Sequence, residues 1–206
     1  KTLGVTPIMI NASLVSAQNR KRLFWTNILN IKQPNDKGIL LKDILEQNID
    51  ESFTTKGVTF VKGGTDKKSD LDFLGGIRNK DWAKDGKNYS RNFGQGDRVY
   101  SPNGKATTLS ANGGGRGEKT ALYLIKGITM LTRNEGYKQK DIVRKLTPIE
   151  CERLQTVPDN YTQFGTFNGI TKEISNSQRY KMLGNSFCCD VIVHLLSYIK
   201  QDIYNV

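Results

Sequence analysis

The sequence predicts an α/β chain with a β-hairpin at its start, a loop-rich and mostly β middle, and a helical end. Three observations predict it. Residues 6–12 and 23–28 are short apolar runs of strand length with a polar, turn-like stretch between them. Residues 49–98 mix glycines, basic residues and aromatics in short irregular segments. After Arg144, helix-capping signals and four-residue apolar spacing recur.

In order, Ile8, Met9 and Ile10 centre the first strand, and Leu23-Phe24-Trp25-Thr26-Asn27-Ile28 form the second. Between them stands Gln18-Asn19-Arg20-Lys21-Arg22, by itself a basic approach to a strand. Leu40, Leu41, Ile44 and Leu45 have helical spacing, which predicts a short amphipathic helix over 37–47. In the irregular stretch, Lys84, Lys87, Arg91 and Arg98 lie among Trp82, Tyr89 and Phe93. Lysine and arginine hold phosphates and glycines let a backbone approach closely, which suits a DNA-contacting surface. The intervening Asp66, Asp70, Asp72, Asp81 and Asp85 dilute the charge. Arg98-Val99-Tyr100, the turn Pro102-Asn103-Gly104 and Thr107-Thr108-Leu109 predict a hairpin. Residues 113–120 narrowly miss a phosphate-binding loop, because Glu118 stands where a glycine must precede Lys119. A glycine loop with Arg116 reaching phosphate or base fits better. Strands are expected at 121–125 and 128–131, and a polar link at 135–140.

At the helical end, Thr147 caps a helix, Pro148 fits its first turn and Glu150 completes a capping box, with Arg153 expected as the salt-bridge partner of Glu150. Ser175 and Gln178 repeat the box spacing, and Gly184 is expected as a left-handed terminator. A third helix, starting at Asn185 or Ser186, carries Phe187, Val191, Leu195 and Ile199 at four-residue spacing, with His194 on its face.

The 206 residues allow one domain, or one and part of another. A net charge of +11 and a pI near 9.6 point to an anionic partner, nucleic acid before membrane. No apolar run approaches the ~18 residues a membrane span needs. Residues 1–13 lack the order of a signal peptide. Three cysteines, two of them adjacent, argue against a disulfide framework and for a reducing, cytoplasmic compartment. One histidine supplies neither a zinc site nor a histidine-based triad, so no metal is expected.

Arg144-Lys145-Leu146-Thr147, Glu150, Arg153-Leu154-Gln155 and Pro158, followed by Gln178-Arg179-Tyr180-Lys181 and Gly184-Asn185-Ser186, closely resemble the last two blocks of the DNA (cytosine-5) methyltransferases of bacterial or phage type. The resemblance extends to Gln18-x-Arg20-x-Arg22. It implies the C-terminal part of a Rossmann-like, S-adenosylmethionine-dependent domain plus a small target recognition domain. The expected division is 1–30 (hairpin of the catalytic domain), 31–170 (target recognition) and 171–206 (helices returning to the catalytic domain). It implies that Arg22 contacts the flipped target cytosine, with Arg20 and Gln18 in the same pocket, and that Asn185 and Ser186 help close the S-adenosylmethionine pocket. Lys84, Lys87, Arg91, Arg98 and Arg116 are the expected DNA contacts. A fixed guanidinium suits the cytosine role, since attack at C6 pushes electrons into the ring and arginine does not lose its proton.

Three features of that family are missing from the sequence: the Pro-Cys nucleophile, the Glu-Asn-Val block and the glycine-rich cofactor turn. The expectation is therefore a C-terminal fragment, inactive alone, that recognises double-stranded DNA, binds S-adenosylmethionine only in part, and works with an N-terminal catalytic half in cis or trans. A non-catalytic DNA-binding module and the specificity half of a split enzyme are the alternatives.

Overall fold

The computed structural model describes residues 4–63, 71–79, 93–111, 117, 119–132 and 136–199. An antiparallel hairpin opens the fold, pairing β1 (Ile8–Asn11) with β2 (Lys21–Phe24), Ile10 opposite Arg22. The second strand is thus earlier and shorter than the apolar run suggested; residues 25–29 leave the ladder.

The middle of the chain builds a six-stranded mixed sheet. Its strands are β3 (Asn48–Asp50), β4 (Val58–Lys62), β5 (Phe73–Asn79), β6 (Arg98–Tyr100), β7 (Leu122–Thr132) and β8 (Gly136–Arg144). The order β3-β7-β6-β5-β4 runs along one path, and β8 takes the other edge of β7. Several expectations change here. The two strands expected at 121–125 and 128–131 are one strand with a bulge between Ile125 and Ile128, and the expected polar link is strand β8. β6 forms no hairpin with 107–109; it pairs antiparallel with β5 and parallel with β7. The helix expected over 37–47 is one 3-10 turn, Leu41–Ile44. Its apolar positions still serve the core: Leu41 is fully buried, with Ile44 and Leu45 packed beside it.

Three helices follow: α1 (Pro148–Leu154), α2 (Asn176–Asn185) and α3 (Cys189–Ser197). The hairpin β9 (Phe164–Phe167) and β10 (Ile170–Glu173) stands between α1 and α2. Its loop, Asn168-Gly169, has positive φ at both residues (50° and 77°), as a tight two-residue hairpin turn requires. The main core runs from Ala17 through Leu41, Tyr123 and Leu146 to Leu183. A second core joins Ile10 and Val15 to Cys188 and to Val191 and Leu195 of α3. Phe187 and Ile199, expected on the same face as Val191 and Leu195, are exposed.

α1 is fastened by buried charge. The Thr147–Glu150 capping box forms as the spacing implied. The partner of Glu150, however, is Arg144: two parallel bonds of 2.6 and 2.7 Å join two side chains with no solvent exposure. Arg153 instead pairs with Asp159 at the surface, at 2.6 Å, which raises the arginine's pKa and lowers the aspartate's through their hydrogen bond. Glu150 also accepts the backbone N–H of Glu46 and Thr147. Glu152 receives Arg179 at 2.9 Å, the Thr162 backbone N–H at 2.8 Å and that of Asn160 at 2.7 Å. Removing one member of such a pair strands a buried charge, at a cost of about 3–5 kcal/mol. Glu150→Ala is therefore expected to lower unfolding stability by about that amount, and Asp159→Ala at the exposed pair by about 1 kcal/mol or less, both read from urea denaturation.

Candidate functional site

The two blocks singled out in the sequence, 18–22 and 184–186, meet at one side chain. Arg20 is 5% exposed. Its Nη2 donates to the carbonyls of Ser186 (2.6 Å) and Gly184 (3.2 Å), and its Nη1 to that of Leu109 (3.3 Å). The Gly184 and Ser186 carbonyls lie at the C-terminal end of α2, where the helix dipole places negative charge. A guanidinium is well suited to that place, because its fork of donors can satisfy several carbonyls at once. Burial, and secondarily the charge of Arg22, lower its pKa. Arg20 is thus a structural clamp, not a group presented to a substrate by this chain.

The same turn is gripped from a second direction. Gln155 Nε2 donates to the Leu183 carbonyl at 2.5 Å. Gly184 leaves no room for a side chain: a Cβ there would sit 2.4 Å from the Ala111 backbone nitrogen. This corrects the expected left-handed terminator, since Gly184 lies inside α2 and is glycine for close packing. The third helix begins at Cys189, not at Asn185 or Ser186. Its first N–H groups are already used: that of Cys189 donates to the Gln155 carbonyl (2.9 Å) and that of Asp190 to the Thr156 hydroxyl (2.9 Å). A helix-start amide site at Asn185 and Ser186 is therefore not what the fold provides.

The remaining residues separate clearly. Arg22, two positions after the clamp, is exposed and its Nη1 donates to the carbonyl of Lys21 at 2.7 Å. Gln18 is fully buried, and neither end of its carboxamide has a hydrogen-bond partner among the described residues. Asn185 is exposed, with its carboxamide free among the described residues, whereas the Ser186 hydroxyl donates to Leu183. Arg98 is exposed and donates to the Phe93 carbonyl at 3.2 Å. Lys84, Lys87, Arg91 and Arg116 lie outside the described residues.

No described cysteine is set up as a nucleophile. Burial raises the pKa of Cys151 well above normal, with Glu150 and Glu152 adding to it. Cys188 is 3% exposed and its pKa is also raised, chiefly by burial. His194 takes part in a 2.8 Å hydrogen bond with the Lys32 carbonyl and stacks edge-on with Tyr198. Among the described residues no group of three or more metal-ligating side chains is assembled, and no helix is long and apolar enough to cross a membrane.

Sequence reasoning gave no role to Gln155, although it lies within the block quoted above, and missed the β9–β10 hairpin, for which Asn168-Gly169 between Phe167 and Ile170 was the available signal. The geometry separates the two arginines by experiment. Arg20→Ala is expected to cost about 2 kcal/mol or more, because three carbonyls lose a charged donor. Arg22→Ala is expected to stay within about 0.5 kcal/mol of the parent. Denaturant midpoints of the two variants check this.

Residues 4–201 match the family model described as C-5 cytosine-specific DNA methylase. Among named relatives, the orphan methyltransferase M.Rho11sI of Bacillus phage rho11s is 39% identical over 132 residues, covering 57% of this chain and 25% of that protein. The type II methyltransferase M.HhaI of Haemophilus parahaemolyticus is 40% identical over 110 residues, 53% of this chain and 25% of that protein. The match thus spans about a quarter of each relative's length. In fold, the chain is similar to the Entamoeba histolytica methyltransferase EhMeth (TM-score 0.55, 16% identity, 97% of this chain and 54% of that one) and to the S. pombe Dnmt2 methyltransferase (TM-score 0.51, 12% identity, 100% and 60%). With its sequence matched to the family model over nearly its whole length, the chain belongs to the C-5 cytosine-specific DNA methylase family.

Proposed function

We propose that this chain is the C-terminal portion of a DNA (cytosine-5) methyltransferase, recognising duplex DNA and completing the target-cytosine and S-adenosylmethionine pockets. The observation that carries the reading is the Arg20 clamp. It ties the strand bearing Arg22 to the turn bearing Asn185, so one buried side chain sets the spacing of both candidate pockets. In this reading residues 31–170 are the target recognition domain, and 1–30 and 171–206 belong to the catalytic domain.

S-adenosylmethionine, when bound, supplies the electrophilic methyl group. Asn185 fits a polar contact with it, since its carboxamide is exposed and unpaired; Ser186 fits less well, its hydroxyl and carbonyl being occupied within the chain. Arg22 is the group that meets the extruded cytosine. Among the described residues its guanidinium makes only a neighbouring carbonyl bond, which a better acceptor displaces at little cost. Aimed at the ring oxygen, it stabilises charge that develops on attack at C6.

The nucleophile, the ring acid and the main cofactor turn come from an N-terminal catalytic half, in cis or trans. A surface suited to it is present. β1 and β2 pair only with each other among the described residues. One face of this hairpin packs on α3 through Ile8, Ile10 and Phe24, while the cross-strand pair Met9 and Leu23 is about half exposed on the other. Trp25, Leu29 and Phe187 add to the exposed apolar area. Apolar exposure on this scale, beside open strand edges, marks an interaction surface.

In the completed enzyme, Arg22→Ala is expected to slow single-turnover methylation about a hundredfold or more, while equilibrium DNA affinity changes little, because phosphate contacts carry most of the binding. Arg22→Lys should rescue poorly, since an ammonium lacks the planar fork. Titrating salt in the binding arm should show log K falling by about 0.9 per log unit of salt for each phosphate contacted. Reduced affinity with an unchanged single-turnover rate would make Arg22 a backbone contact instead.

A further inference from the structure

The six-stranded sheet holds a cavity of about 720 Å³, within the ~300–1,000 Å³ typical of small-molecule sites. Its floor is apolar: Phe60 of β4, Leu74 of β5 and Leu124 of β7. Phe60 and Leu124 also pack on the core formed by Ile77, Val99 and Leu122, so this floor is anchored. Its rim is cationic. Lys42 comes from the 3-10 turn, Lys62 from the end of β4 and Lys126 from β7.

All three lysines are exposed, and none makes an ion pair among the described residues. Other surface lysines do pair, Lys37 with Asp190 at 2.7 Å and Lys56 with Glu51 at 3.3 Å. The lining carries one carboxylate, Asp72, and Asn103 adds one carboxamide. Three like charges around one opening repel one another, and an anion among them relieves that repulsion. A bare phosphate would use the rim and waste the floor. A hydrocarbon guest would do the reverse. A flat, largely apolar ring carrying a phosphate uses both, with Phe60 available for stacking.

We propose that this cavity holds one nucleotide of DNA, its base over the apolar floor beside Phe60 and its phosphate among Lys42, Lys62 and Lys126. The proposal rests on the DNA-binding reading above and adds a site separate from Arg22 and Asn185. Stacking on an aromatic face is tolerant of base identity, and only Asn103 offers a carboxamide to a base edge. The site therefore grips a displaced or unpaired nucleotide and contributes little to sequence choice.

The test is calorimetry and saturation-transfer NMR on the whole chain with each of the four 5′-deoxynucleoside monophosphates. All four are expected to bind one per chain, within about threefold of one another. Lys62→Glu and Lys126→Glu should each weaken binding about fivefold or more, one exposed charge contact being worth roughly that factor. Lys32→Glu, the same charge change on a lysine outside the cavity, should leave it unchanged. Deoxynucleosides, inorganic phosphate and decanoate are the comparison ligands, and each should bind more weakly than the nucleotides. Equal binding of any of them, or equal effects of the Lys32 and Lys62 substitutions, would overturn the proposal. Duplex affinity is measured beside it. Duplex binding without nucleotide binding removes the cavity site and leaves the functional reading standing. Absence of duplex binding removes that reading, and the proposal with it.

Discussion

A single guanidinium, buried between β2 and the end of α2, holds the functional end of this chain together. Arg20 immediately precedes the strand that carries Arg22, and its bonds reach Leu109, Gly184 and Ser186. Burying a cation is costly unless it is well paired. Here all three partners are carbonyl oxygens, and two of them, Gly184 and Ser186, lie at the negative end of α2, so the macrodipole adds to the hydrogen bonds. The clamp has a geometric consequence. Gly184 must press against the backbone of Ser110 and Ala111 for its carbonyl to stay in reach, and no side chain fits between. Gln155 completes the arrangement by taking the Leu183 carbonyl with its amide and the Cys189 N–H with its own carbonyl.

The clamp in turn depends on α1. This short helix is too small to be stable alone, and most of such a helix's stability comes from tertiary contacts. Arg144 and Glu150 anchor its start beside β8, and Glu152 draws in Arg179 of α2. The Tyr180 hydroxyl donates to the Leu146 carbonyl at 2.6 Å, and burial raises its pKa, so the bond survives across ordinary pH. Buried ionic groups of this kind add less to stability than a well-packed apolar core would. Their value here is positional: each bond has one geometry, and together they fix where Gln155 and the 184–186 turn lie.

The parts of this architecture that were legible in the sequence are those with local chemistry. Thr147, Pro148 and Glu150 form a capped helix start because caps are short-range. The apolar positions Leu41, Ile44 and Leu45 were legible as core, though the helix joining them was not, because burial against the sheet does not require α-helical backbone there. The start of β8, within the polar link expected at 135–140, has no apolar run to mark it, because it is paired through its backbone to β7. Arg144 as the partner of Glu150 was missed because Arg153 has the better helical spacing, while the fold brings Arg144 from the adjoining strand. At the site, the two blocks were legible by resemblance, but the clamp made by Arg20 and the grip of Gln155 were not. Arg20 and Arg22 look alike in sequence, and only the fold shows that Arg20 is buried among carbonyls while Arg22 is exposed.

We propose that this chain supplies the cytosine-contacting arginine and helps close the cofactor pocket while a second portion supplies the nucleophile. Reconstitution tests it most directly. Purified chain is mixed with the N-terminal portion of a family relative that carries the glycine-rich turn, Pro-Cys and Glu-Asn-Val, together with duplex DNA and labelled S-adenosylmethionine. Label is expected on cytosine C5 with both portions present and none with either alone. Catalytic incorporation by this chain alone would contradict it, and would turn attention to its own cysteines, Cys188 and Cys189 first.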